Sequence, residues 1–163
     1  MGFYQKDSHR HLVETVETWN GHPLFAPRMH IIKDALQAHC EGRYTLSVPT
    51  LIPQIEGVLS DFVLANNLVA KFGKIKQVYS AVIGDVDNYS LSTWAIASTL
   101  LYQLQNTTYV SINFENELRK SVNTRKTTRH TVLHGIAPRY DRPIHSFKAF
   151  LLLDAIIALQ ELE

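Results

Sequence analysis

The chain of 163 residues is the size of about one domain at ~100–200 residues each, with room for one hydrophobic core. Apolar residues make up 45% and charged residues 19%, with seven glycines and six prolines, which excludes collagenous, disordered and loop-rich classes. The formal net charge of +1 hides a basic stretch at 119–148, net +7, inside a remainder of net −6, a local field suited to a phosphate-bearing partner or simply a solvated helix face.

A single cysteine excludes a disulfide framework within the chain and any zinc finger built on cysteines. The longest apolar run, 149–159, is broken by Asp154 and is far shorter than the ~20 residues that span a bilayer. The first seven residues are polar and carry no signal-peptide core. These features predict a soluble, cytoplasmic, single-domain protein without membrane association.

Apolar spacing is helical through most of the chain, with no internal repeat. A first helix is predicted over 10–19, stopped by Asn20-Gly21-His22-Pro23. A second covers 27–39 with Met29, Ile32, Leu36 and Cys40 on one face and Gly42 as its stop. A third starts at Ser47-Val48-Pro49 and carries the stripe Leu51, Ile55, Val58, Leu59, Phe62 and Val63, with Pro53 placed to delay or kink its start. Weaker helical patterning covers 69–83, a turn 84–88, a further helix 91–104, and 106–112 reads as loop for want of a strand partner. The segment 114–135 is predicted helical with breaks around 121–124, where polar and β-branched residues lower the propensity. The last helix, 146–162, is apolar around most of its circumference, which implies burial on several sides or a subunit contact. The fold class is therefore all-α, a bundle of about five to seven helices.

The segment that carries chemistry is 125–135, Arg-Lys-Thr-Thr-Arg-His-Thr-Val-Leu-His-Gly. On a helix His130 and His134 share one face, whereas Arg129 and His134 stand roughly 140° apart. Gly135 is placed to end the helix in the left-handed region. An imidazole titrates near ~6.5, close to working pH, which suits His134 to proton transfer. Arg129 keeps its charge and offers a fork of donors matched to phosphate. His130 is suited to orient the pair or to share in proton transfer. Read blandly, the three are a surface arginine and two locally bonded histidines.

Arg129, His130 and His134, with four positions between arginine and the last histidine, resemble the signature of the HEPN superfamily. The resemblance covers about 116–162, through Tyr140, Arg142-Pro143-Ile144-His145-Ser146 and the apolar terminal helix. It implies an all-α, commonly dimeric bundle that acts as a metal-independent endoribonuclease, a hydrolase of RNA found in toxin–antitoxin and phage-defence settings. It equally implies the alternative that some members have lost activity and serve as dimerisation or binding modules, so enzyme and module both stand at this point. Implied partners are RNA, a second copy of the chain, and a separately encoded antitoxin or sensor.

Around this motif, Arg125 and Lys126 are candidates for flanking phosphates or a solvated face, and Glu56, in an apolar stretch, is a candidate to hold Arg129 or a histidine. Asp154, inside the apolar terminal helix, reads as a structural hydrogen-bond acceptor. His22, His30, His39 and Cys40 show no recognised zinc spacing, so no metal and no other cofactor is expected. Glycine-rich phosphate loops, nucleophile elbows and dinucleotide fingerprints are missing, and Trp19 and Trp94 are spaced as core or cap residues. A two-fold dimer with its two Arg129/His134 motifs facing one cleft would bring both residue types into one site despite their divergence.

Overall fold

A computed structural model describes residues 3–65 and 113–160, and the predicted helices 69–83 and 91–104, the turn and loop beside them, and Trp94 lie outside the described residues. The described residues are helical without strands, six α-helices in all: α1 (Phe3–Thr18), α2 (Met29–Cys40), α3 (Tyr44–Ala65), α4 (Phe114–Arg119), α5 (Arg129–Leu133) and α6 (Pro143–Gln160). Short 3-10 turns occupy Ala26–Arg28 and Val122–Thr124. The all-α expectation holds for these residues. The chain divides into two compact units, one of Met1–Val58 with Asp141–Asp154, the other of Leu59–Tyr140 with Ala155–Glu163.

In the first unit, α1 starts seven residues ahead of the predicted position, because 3–9 contain neither glycine nor proline to stop it. It buries Leu12 and Val16, one turn apart, and Trp19 just beyond its end. Helix α2 buries Met29, Ile32, Ala35, Leu36, Ala38 and His39. Cys40, expected on that face, is exposed, and His39 takes the inward position instead. The helix closes as a Schellman motif: Gly42, at φ +73°, donates to the His39 carbonyl and Arg43 to the Ala38 carbonyl.

Helix α3 begins at Tyr44, so neither proline delays it. Ser47, Val48, Leu51, Ile52, Ile55, Val58, Leu59 and Phe62 form its buried stripe. Pro49 is half-buried and Pro53 exposed, away from that stripe, and the helix runs on through both. At Gly57 the backbone is covered by Arg28, whose Nη2 would lie 2.6 Å from any added Cβ. A side chain at 57 would therefore displace the guanidinium.

Helix α6 starts at Pro143, a first-turn position where the absent N–H costs nothing. It buries Ser146, Ala149, Phe150, Leu152, Leu153, Ile156 and Ile157, while Ile144 (50% exposed) and Leu151 (49%) face solvent. Asp154 accepts a hydrogen bond from Trp19 Nε1 at 3.2 Å, the structural role expected of a carboxylate in an apolar helix.

One polar cluster sits inside this unit. His39 Nδ1 lies 2.8 Å from Ser146 Oγ, and Ser146 Oγ lies 2.6 Å from Ser47 Oγ, so α2, α3 and α6 share a chain of hydrogen bonds. His39 is only 3% exposed and is ringed edge-on by His9, Tyr44 and Phe150 at centroid distances of 5.2, 5.4 and 5.8 Å. Burial, with the charge of His9 beside it, pushes the imidazole down from 6.5 to about 4. Both serines are fully buried, which makes the cluster a device for positioning helices rather than a nucleophile open to substrate.

Candidate functional site

The motif segment belongs to the second unit, and its local chemistry explains why 114–135 is not one helix. Asn113 caps α4, its side chain accepting from the Asn116 N–H at 3.1 Å. The helix then stops at Arg119, and Lys120 turns extended at φ −74°, ψ 153°. The breaks predicted around 121–124 thus widen into a connector reaching to Thr128.

Two charged side chains hold that connector. Glu117 is 4% exposed and accepts from Lys120 Nζ at 2.5 Å and from the Lys126 backbone N–H at 3.3 Å. The Lys120 ammonium, helped by the Lys126 N–H, keeps the Glu117 carboxyl below the usual carboxylate range against the opposing effect of burial. Arg125 spreads its guanidinium over three backbone carbonyls, those of Ile136 (2.8 Å), Leu118 (3.1 Å) and Lys120 (3.3 Å). The residue read from sequence as a phosphate ligand thus ties the end of α4 to the residue that follows the motif. Lys126, its neighbour, is exposed.

Helix α5 is a single capped turn. Thr128 supplies a capping box with Thr131: the Thr131 N–H donates to Thr128 Oγ1 at 3.3 Å, and the Thr128 N–H donates to Thr131 Oγ1 at 2.8 Å. The Thr131 hydroxyl is 2.6 Å from the Lys126 carbonyl, so it also closes the connector onto the helix. At the other end Gly135, at φ +68°, donates to the Val132 carbonyl, while the Ile136 N–H donates to the Thr131 carbonyl at 2.8 Å. This is a second Schellman motif, with Ile136 buried behind it. Five residues too few for a stable free helix are held by caps at both ends.

The result is a fixed display of the motif. His130 and His134 are both exposed, and their rings meet at a centroid distance of 4.4 Å with planes tilted by 55°. Arg129 leads the helix, is half-buried, and has its Nε shielded from solvent. A five-residue offset turns Arg129 and His134 to different sides of the turn, roughly 140° apart. The fold therefore brings the two histidine rings together, with Arg129 leading the same turn. Glu56 is half-buried on α3 and belongs to the first unit, as do Arg142 and Lys148, while Arg119, Lys120, Arg125, Lys126, Arg129 and Arg139 belong to the second. His145, half-buried near the start of α6, is pushed below its ordinary value by burial, then by Lys148 and Arg142.

Sequence reasoning missed Glu117, Thr128 and Thr131. Thr128-x-x-Thr131 was legible as a capping box with threonine in place of the usual glutamate, whereas nothing local to Glu117 announced its burial. Among the described residues no group of three or more His, Cys, Asp or Glu side chains is placed to hold a metal ion, and no helix is long and apolar enough to cross a membrane. Compared with protein-family models, curated proteins and solved structures, the chain matches none.

Proposed function

We propose that the chain is a HEPN-like, metal-independent endoribonuclease whose reacting groups are His130, His134 and Arg129. The observation that carries the reading is the exposed His130/His134 pair, 4.4 Å apart, on a doubly capped turn led by an arginine within a basic segment. RNA cleavage without metal needs one imidazole to take the 2′-hydroxyl proton and a second, protonated, to return one to the departing 5′-oxygen. As the 2′-oxygen bonds to phosphorus and the bond to the 5′-oxygen breaks, the products are a 2′,3′-cyclic phosphate and a 5′-hydroxyl. His134 and His130 fill the two proton-transfer roles, and Arg129 stabilises charge on the phosphorane oxygens. Lys126 meets a flanking phosphate, and Arg125 keeps the segment in shape.

The reading extends to a two-fold dimer, supported by the exposed Ile144 and Leu151 on α6. Its setting is the cytoplasm, where RNA and a separately encoded antitoxin or sensor would meet it. Purified chain incubated with total RNA in EDTA should yield fragments with 2′,3′-cyclic ends, and sedimentation at micromolar concentration should give a dimer. Intact RNA at stoichiometric protein refutes the enzyme. The second reading, a non-catalytic helical module, is favoured by the partial burial of Arg129 and the shielding of its Nε. Binding of RNA or protein without cleavage would establish it.

A further inference from the structure

We infer that His130 and His134 together form a two-imidazole site for a borderline divalent transition-metal ion of the zinc, nickel or copper class, bound from solvent. The inhibitory consequence drawn below rests on the ribonuclease reading, whereas the binding itself does not. Imidazole nitrogen is a preferred ligand of these ions, and two histidines four residues apart on a helical turn present their rings to the same side. The described geometry goes further than spacing. A metal lies about 2.0–2.1 Å beyond a ring nitrogen that is itself roughly 1.1 Å from its centroid, so two rings bound cis to one ion have centroids roughly 4.5–5.2 Å apart. The observed centroid distance of 4.4 Å lies just below that range.

Two features of the segment favour the site. Both residues are exposed, so an ion has access and water can complete its coordination. The backbone beneath them is held by the Thr128/Thr131 capping box and the Gly135 Schellman closure, so little ordering is required on binding. Hard cations such as magnesium, which take oxygen ligands, find none of their usual donors in this pair. Because coordination uses the ring nitrogens that proton transfer requires, a bound ion silences the pair. Zinc should therefore inhibit the proposed cleavage, and a chelator should leave or restore it.

The test is a titration of the full chain with zinc sulfate in a non-coordinating buffer, read by competition with a chromophoric zinc chelator. Loss of a supporting contact to a metal ligand costs ~10–100-fold in affinity, so removing a ligand should cost at least ~10-fold. A saturable site is expected in the wild type, weakened by at least that factor in both His130→Gln and His134→Gln. Leu133→Ala, at an exposed position between them, should bind as the wild type does. Circular dichroism of each variant checks that the fold is kept, and exposure of both rings makes that the expected result. Absence of saturable binding, or equal affinity in wild type and both glutamine variants, overturns the site. With RNA present, zinc should stop cleavage that persists in EDTA, and cleavage unaffected by bound zinc overturns the inhibitory half. RNA left intact under all conditions ends the ribonuclease reading while the titration still decides the metal site.

Discussion

Acid should destabilise this protein through His39, beginning well above the range in which carboxylates titrate. The residue is 3% exposed, hydrogen-bonded to Ser146, which in turn meets Ser47 of α3, and its ring is faced by His9 from α1, Tyr44 from α3 and Phe150 from α6. The folded chain holds it at about 4, against an ordinary value of 6.5. The unfolded chain therefore binds a proton that the folded chain refuses, and the stability His39 contributes is complete above about pH 6.5 and drains away as pH falls toward 4. At about 1.36 kcal/mol for each pH unit across that window, the loss approaches roughly 3 kcal/mol, a large share of the ~5–15 kcal/mol that holds a typical domain. Urea unfolding followed by far-ultraviolet circular dichroism across this window measures it. His145 is depressed in the same direction and adds its own slope, so the decisive quantity is the difference between wild type and His39→Gln. The variant should be less stable at neutral pH and show a distinctly flatter decline. Parallel declines in the two proteins would refute a buried, neutral His39.

Further substitutions test the other contacts. Arg125→Met should lower unfolding free energy by about 1–3 kcal/mol, since a charged donor on three carbonyls is lost, and an unchanged melting temperature would return Arg125 to a surface role. Gly57→Ala gains up to ~1 kcal/mol of helix propensity but drives a Cβ into the Arg28 guanidinium, so the gain should emerge only in an Arg28→Ala background. Additive stabilities in that double-mutant cycle would show that the two positions do not press on each other. His134→Ala should abolish RNA cleavage with the melting temperature nearly unchanged, because the ring is exposed, and Arg129→Lys should cripple turnover because an ammonium lacks the guanidinium fork. Wild-type cleavage in the first, or near-normal turnover in the second, removes that residue from the mechanism.

Helical class, the stops at Gly42 and Gly135 and the shared face of His130 and His134 could all be read from the residues themselves. Each depends on neighbours within about one turn: apolar period, a residue able to take positive φ, a four-residue offset. Tertiary structure decided what no local pattern carries. It turned His39 inward in place of Cys40, through a partner 107 residues away, and gave Asp154 its donor across 135 residues. It also spent Arg125 on the chain's own carbonyls and buried Glu117 beside Lys120. A buried polar group is tolerable only where a partner meets it, and that meeting is made by packing rather than by sequence proximity. The residue types of the motif were legible, whereas which side chains stay exposed to act and which hold the backbone in place was settled only when the connector folded back on itself.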